Sequence, residues 1–157
     1  MQETLLQVAD AVLAGIQFGL TTNAFSQAFT AAVAFDTELK LEDAQALPLV
    51  SIVPGRVKTV LQDRNGREGD YTVDVAVRRA VAPGDAAAMR SLFSLQRELD
   101  DFLFHLGEEN GHRLPGFVQA VWTASDLKWP FVPEALRHLN QFTGINWVTY
   151  HVLDLDE

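Results

Sequence analysis

The spacing of apolar residues predicts a helix near the start of the chain. Four apolar residues recur three or four positions apart, as on one face of an amphipathic helix. We expect this helix from Thr4 to about Phe18, with Gly19 at its C-terminal end. Its apolar face consists of Leu5, Val8, Val12 and Ile16.

A second helix is predicted in the middle of the chain. Pro83-Gly84-Asp85 opens it, with Asp85 as the N-cap, and Gly107 ends it. A helix of this length would be roughly 30 Å long, enough to cross a sheet. Its apolar face comprises Met89, Leu92, Leu95, Leu99, Phe102, Leu103 and Leu106.

Strands are predicted between the two helices. Residues 29–35 and 71–77 alternate between apolar and polar or small residues with the period of a half-buried strand. Leu47–Val53 is a nearly continuous apolar run, which we expect Pro54-Gly55 to stop. Val57–Leu61 is a further candidate.

The segment Asp63–Gly69 is the strongest hairpin signal, because Asn and Gly at its centre tolerate positive φ. The strand after it carries Thr72, Asp74 and Arg78 on its polar side. We expect this polar face to meet water or another subunit.

The second half of the chain has weaker signals until its end. Glu108–Arg113 reads as a polar loop and Phe117–Ser125 as a strand, followed by an irregular aromatic loop at residues 129–133 and a short helical turn at 134–138. Phe142–Leu153 is apolar on both faces, which indicates a strand inside the sheet. The whole chain, residues 1–157, is therefore predicted to be one α+β domain, a mixed but largely antiparallel sheet packed by two main helices.

Composition narrows the class of protein. The chain has no cysteine, which excludes disulfides, Cys-zinc sites, iron–sulfur clusters and a thiol nucleophile. A net charge of −9 argues against a surface that wraps nucleic acid. The apolar stretch Leu5–Leu20 is interrupted by Gln7, Asp10 and Gln17, and we expect it to be too short and too polar to span a bilayer. A soluble protein of a reducing compartment is expected.

No motif points to catalysis. The chain has no HExxH, GxSxG, P-loop or GxGxxG motif. The acidic residues of Asp63–Asp70 lack the register of an EF-hand, and the pairs Asp100/Asp101 and Glu108/Glu109 are more simply solvated. No pair of histidines has i, i+4 spacing; they are His105, His112, His138 and His151. We therefore expect no catalytic, cofactor-binding or metal-ligating residue, and no enzyme.

Five aromatic residues in the second half could line a ligand pocket, fill the core or anchor a subunit interface. We favour core and interface. The five are Trp122, Trp129, Phe131, Phe142 and Trp147.

Five segments carry a family resemblance through almost the whole chain. They are Ala9–Val12, Phe25–Ala31, Val50–Pro54, Asp70–Arg78 and Gln141–Thr143, of which Asp-Tyr-x-x-Asp-Val-Ala-Val is the most specific. The order and spacing of these segments make the chain resemble the tail-completion or tail-terminator proteins of the neck of tailed bacteriophages and prophages. The loop at 108–113 and the aromatic segment at 129–133 depart from that pattern.

The resemblance implies a structural virion protein of the tail or neck, assembled in the host cytoplasm, with no catalytic residues and no cofactor. Such proteins form a ring, often a hexamer, that caps the tail tube and meets the head-side connector. Six copies would carry about −54 in total, so an acidic lumen would let DNA pass without binding it. The alternatives are a head-completion or connector adaptor protein and a small-ligand-binding α+β domain.

The hairpin and the polar strand face are the candidate assembly contacts, because exposed hairpins can reach a neighbouring subunit. A free surface loop is the competing interpretation. The candidate residues are Arg64, Asn65, Gly66, Arg67, Thr72, Asp74 and Arg78.

Overall fold

Two long helices and six strands form the described part of the chain, which comprises residues 3–35, 47–63, 66–129 and 140–154 of a computed structural model. The helices are α1 (Thr4–Thr21) and α2 (Ala86–His105), and a 3₁₀ turn follows at Glu108–Asn110. The strands are β1 (Thr30–Val33), β2 (Leu49–Asp63), β3 (Gly66–Ala80), β4 (Arg113–Leu114), β5 (Phe117–Trp129) and β6 (Gln141–Asp154).

The strands form one mixed sheet in the order β1-β2-β3-β6-β5-β4. β1 runs parallel to β2, and every other neighbouring pair is antiparallel. The last strand, β6, lies between β3 and β5, as its apolar residues on both faces predict. The predicted α+β class, with two helices on a largely antiparallel sheet, is confirmed.

Both helices pack on one face of the sheet, which we call the covered face. Alternate residues of β3 and their partners on β2 and β6 point to it, including Val73, Val75 and Tyr150. They form one hydrophobic cluster with Val12 of α1 and Leu95 of α2. The other face of the sheet, with Ser51, Thr72, Asp74 and Thr149, is called the opposite face below.

The first helix continues past its predicted end. It runs to Thr21, and Gly19 is a packing residue inside it, where a Cβ would lie 2.8 Å from atoms of Phe25 and Phe102. The second helix begins as predicted, since the Asp85 carboxylate accepts a hydrogen bond from the amide of Ala88 at 3.1 Å. Gly107 follows α2 with a φ of 80°, in agreement with its predicted place.

The prediction that Pro54-Gly55 ends a short strand is wrong. β2 continues through both residues to Asp63, with a bulge between Pro54 and Arg56 that absorbs one extra residue. β1 ends opposite Ile52, so Pro54 lies where β2 has become an edge strand in the described structure, a position that tolerates a missing N–H. The two predicted strands are therefore one, and β3 likewise starts at Gly66, inside the predicted loop.

The prediction of an irregular aromatic loop at 129–133 is wrong for Trp129, which is the last residue of β5 and pairs with Ile145 of β6. The rest of that loop, 130–133, and the predicted helical turn at 134–138 lie outside the described residues. The loop at 108–113 contains the short 3₁₀ turn.

Helix α1 corrects the expectation that this stretch is too short and too polar for a membrane. It has 18 residues and a mean hydropathy of 1.3, which suffices to cross a bilayer by length and composition alone. The core helix of a soluble protein passes the same test. In this fold Val8, Val12 and Ile16 are completely buried against the sheet.

Candidate assembly surface

Gly66 and Arg67, the described members of the predicted hairpin contacts, lie at the start of β3. Gly66 pairs with Asp63, and Arg67 pairs with Gln62 on one side and with Asp154 of β6 on the other. Arg64 and Asn65 lie outside the described residues. Their role as assembly contacts stays a prediction.

The expected exposure of the polar face of β3 is wrong for Thr72 and Arg78. Thr72 is 6% exposed, and its hydroxyl lies 3.0 Å from that of Thr149 on β6. Arg78 is 4% exposed, and its guanidinium is 3.5 Å from the hydroxyl of Ser51. Alternation assigns a side chain to a face of the sheet but does not say whether that face meets water. Any contact of these two residues with another subunit would need their surroundings to open.

Asp74 is the half-buried member of the three. Burial raises the pKa of its carboxyl, and the positive charge of Arg56 partly opposes that rise. The Arg56 guanidinium lies 4.1 Å from the ring centroid of Trp147, in a cation–π contact. Trp147 pairs with Asp74 across β3 and β6, so these three residues form a small charged and aromatic group on the opposite face.

His151 on β6 sits between two carboxylates of β3. Its Nδ1 is 3.0 Å from Asp70 Oδ1, and its Nε2 is 3.4 Å from Glu68 Oε2. The hydrogen bond to Asp70 raises the pKa of His151, although partial burial opposes the rise. The three side chains are 35–39% exposed, so the cluster lies on the surface. The described residues contain no group of three or more His, Asp or Glu that could hold a metal ion.

The other described histidines have structural contacts with backbone carbonyls. The Nδ1 atom of His105 lies 2.8 Å from the carbonyl oxygen of Asp101, and that of His112 lies 2.9 Å from that of Phe104. His138 lies outside the described residues. Of the predicted carboxylate pairs, Asp100 accepts a hydrogen bond from the Asn146 amide at 2.9 Å, which ties α2 to β6.

The predicted aromatic cluster is not one group in the described structure. Phe142 is buried in the core, and Trp122 packs edge-on against Phe104 of α2 with the ring centroids 4.8 Å apart. Trp147 lies on the opposite face with Arg56. Phe131 and the side chain of Trp129 lie outside the described part of the structure.

A pocket of about 450 Å³ lies where β3 leads into α2, beside Val81, Pro83, Met89 and Asn140. None of the described aromatic residues of the predicted cluster lines it. This pocket is therefore not the aromatic ligand pocket considered from the sequence.

Two stretches of sheet edge are the feature that sequence reasoning missed. β1 pairs with β2 only over Leu49–Ile52, and within the described residues no strand continues along β2 from Val53 to Asp63. β4 reaches β5 only as far as Val121, which leaves residues 123–129 without a described neighbour on that side. A proline inside an apolar strand pattern was the available signal for an edge strand.

No protein-family model matches the chain, and no curated protein matches it at a significant level.

Proposed function

We propose that this chain is a structural, non-enzymatic protein of the tail or neck of a tailed bacteriophage. Copies associate into a ring that ends the tail tube and joins it to the head-side connector. The observation that carries the proposal is a pair of edge stretches at opposite sides of one sheet, residues 53–63 of β2 and 123–129 of β5, which have no neighbouring strand among the described residues. The resemblance described above supplies the biological setting.

Two different edges on one molecule support a head-to-tail contact, which closes into a ring when the rotation between copies allows it. Long open edges are a hazard for a monomer, because they template pairing with other chains. Here β2 carries Pro54, two bulges and the exposed charges of Arg56 and Lys58, which discourage pairing with arbitrary strands. These features limit pairing along β2 to an edge whose shape and charge match it.

Net charge supports the position of such a ring on the path of DNA. Each copy carries −9, so a ring of copies repels the phosphate backbone and has little tendency to retain it. The protein would have a structural role as a ring between the tail tube and the connector, and DNA would pass through its lumen without being bound.

Deleting the gene from the genome that encodes it tests the function. For a tail terminator, we expect particles with overlong tails that do not join to heads, and restoration by the wild-type gene supplied in trans. Tails of normal length beside unjoined, filled heads would instead indicate the head-completion or connector role. Normal, infectious particles would contradict a role in the neck altogether.

A further inference from the structure

We propose that copies of this chain join edge to edge, with β2 of one copy pairing antiparallel with β5 of the next and Lys58 lying opposite Asp126. This inference rests on the self-association in the proposed function and deepens it, because it names the two edges and the register at which they meet.

Strand directions favour this pairing. Going from β2 through β3 and β6 to β5, each strand is antiparallel to the one before it. β2 and β5 therefore run in opposite directions. When copies are related by rotation about an axis that is inclined to the strands by well under 90°, the β5 edge of one copy meets the β2 edge of the next in antiparallel orientation, and the alternation continues without a break.

The two short outer strands leave segments that can meet. β1 covers β2 up to Ile52, and β4 covers β5 up to Val121. Between these limits and the strand ends lie residues 53–63 of β2 and 123–129 of β5. Side chains on both segments are exposed, among them residues 56–59 on β2 and 123, 124 and 126 on β5. Because β1 and β4 occupy the adjacent edge positions, they would prevent the two segments from sliding past each other and so fix the register of the junction.

The offset between the two free segments matches what a closed sheet needs. The middle of the β2 segment is Lys58, which pairs with Asp70 of β3. The middle of the β5 segment is Asp126, which lies in the row of Trp147 and Asp74. Asp70 and Asp74 are four residues apart on β3, so the two segments are offset by four rows of the sheet.

Four rows correspond to about 13 Å along the strands, and the four strands from β2 to β5 span about 19 Å across them. The ratio gives a strand tilt of about 35°, within the range of about 35–45° seen when a sheet closes into a barrel. This tilt follows from the proposed four-row offset between copies and is the same for any number of copies in the ring.

Charge complementarity favours the same register. Asp70 and Asp74 are an even number of residues apart on one strand, so Lys58 and Asp126, which share their rows, project from the same face of the sheet. With the four-row offset, the exposed ammonium of Lys58 faces the exposed carboxylate of Asp126 of the next copy. Opposite charges directly across an antiparallel pair stabilise it, and like charges destabilise it.

Disulfide trapping tests the register directly, because the chain has no cysteine of its own. Directly opposite residues of an antiparallel pair are close enough for a disulfide. In purified protein, we expect the double variant Lys58→Cys/Asp126→Cys to give a ladder of covalent oligomers on mild oxidation, which ends at the ring size. The matched control is Val53→Cys/Asp126→Cys, whose two positions share one row and should give no ladder. A ladder from the control alone would overturn the proposed register.

Charge exchange provides a second readout by light scattering. Lys58→Glu and Asp126→Lys should each weaken association about tenfold, and the double variant should restore it. Both residues are exposed, so circular dichroism should show an unchanged fold. If the protein is oligomeric and neither substitution changes its association, the proposed junction is wrong, but a ring formed through another contact is still possible. A chain that stays monomeric at millimolar concentration would overturn both the junction and self-association. Normal, infectious particles after deletion of the gene would overturn only the role in the phage.

Discussion

Glycine occupies a left-handed backbone position on each side of α2, and only one of the two positions is crowded. Gly84 precedes the helix with a φ of 77° and has open space where a Cβ would be. Gly107 follows the helix with a φ of 80°, and a Cβ there would collide with the carbonyl oxygen of Arg113. Comparing substitutions at these two glycines therefore distinguishes the cost of backbone strain from the cost of a steric clash.

Gly84→Ala should therefore cost about 1 kcal/mol in the free energy of unfolding, from the positive φ alone. Gly107→Ala should cost about 3 kcal/mol or more, since the clash with the backbone adds to the same strain. Urea unfolding of both variants measures the difference. Equal costs would mean that the approach of Arg113 to Gly107 does not limit this turn.

His151 makes stability depend on pH. Its pKa is raised in the folded state, so its contribution is fully present below the ordinary value of 6.5 and is lost as the pH rises through the raised value. We expect a contribution of no more than about 1 kcal/mol, because the cluster is one-third exposed and solvent screens it. Asp70→Asn should lower the pKa of His151 in an NMR titration, and His151→Gln should remove this part of the pH dependence. An unchanged titration in the Asp70 variant would contradict the assigned cause.

At the scale of elements, α2 and β6 approach closely at one point. A Cβ on Gly144 would lie 2.7 Å from the side-chain Nε2 and Oε1 atoms of Gln96, which is 1% exposed. The nearby hydrogen bond from Asn146 to Asp100 holds the same two elements together. A polar contact zone of this kind fixes where the helix crosses the sheet.

Gly144→Ala should destabilise the fold by about 1–3 kcal/mol, because the added methyl group overpacks a rigid contact. In a Gln96→Ala background, Gly144→Ala should destabilise the fold by at least about 1 kcal/mol less than it does in the wild type, because the side-chain atoms that the new methyl group meets are gone. A double-mutant cycle by chemical denaturation measures this coupling. Additive effects would place the cost of Gly144→Ala somewhere other than at Gln96.

At the scale of the whole molecule, the described sheet carries helices on one face and has two stretches of edge without a described neighbour. The opposite face changes along its length: Ser51, Arg78 and Thr143 are buried, whereas Lys58 and Asp126 are exposed. Assembly through edges would therefore leave the core of each copy intact.

A protein that assembles in this way should show a melting temperature that rises with its concentration, because association binds the folded state only. Differential scanning calorimetry over a hundredfold range of concentration measures the effect. Lys58→Glu should move this rise to about tenfold higher concentrations while leaving the melting temperature at low concentration unchanged. A melting temperature independent of concentration in the wild type would contradict assembly of the purified chain.

Local patterns determined most of the secondary structure. The stripe at 89–106 predicts α2, the alternation at 71–77 predicts the buried side of β3, and the two-sided apolar run at 142–153 predicts an interior strand. These signals arise because periodicity and side-chain chemistry are properties of neighbouring residues. They extend to Asp85 as the cap of α2 and to the α+β class.

The tertiary structure alone decided where these elements meet and what they leave open. Whether Pro54 ends a strand depends on which neighbour would need its N–H, and β1 has ended by that point. Whether Thr72 and Arg78 meet water depends on what surrounds the opposite face, which alternation does not encode. The four-row offset between Lys58 and Asp126 follows from strand order and register across residues far apart in the chain, and only the folded sheet defines it.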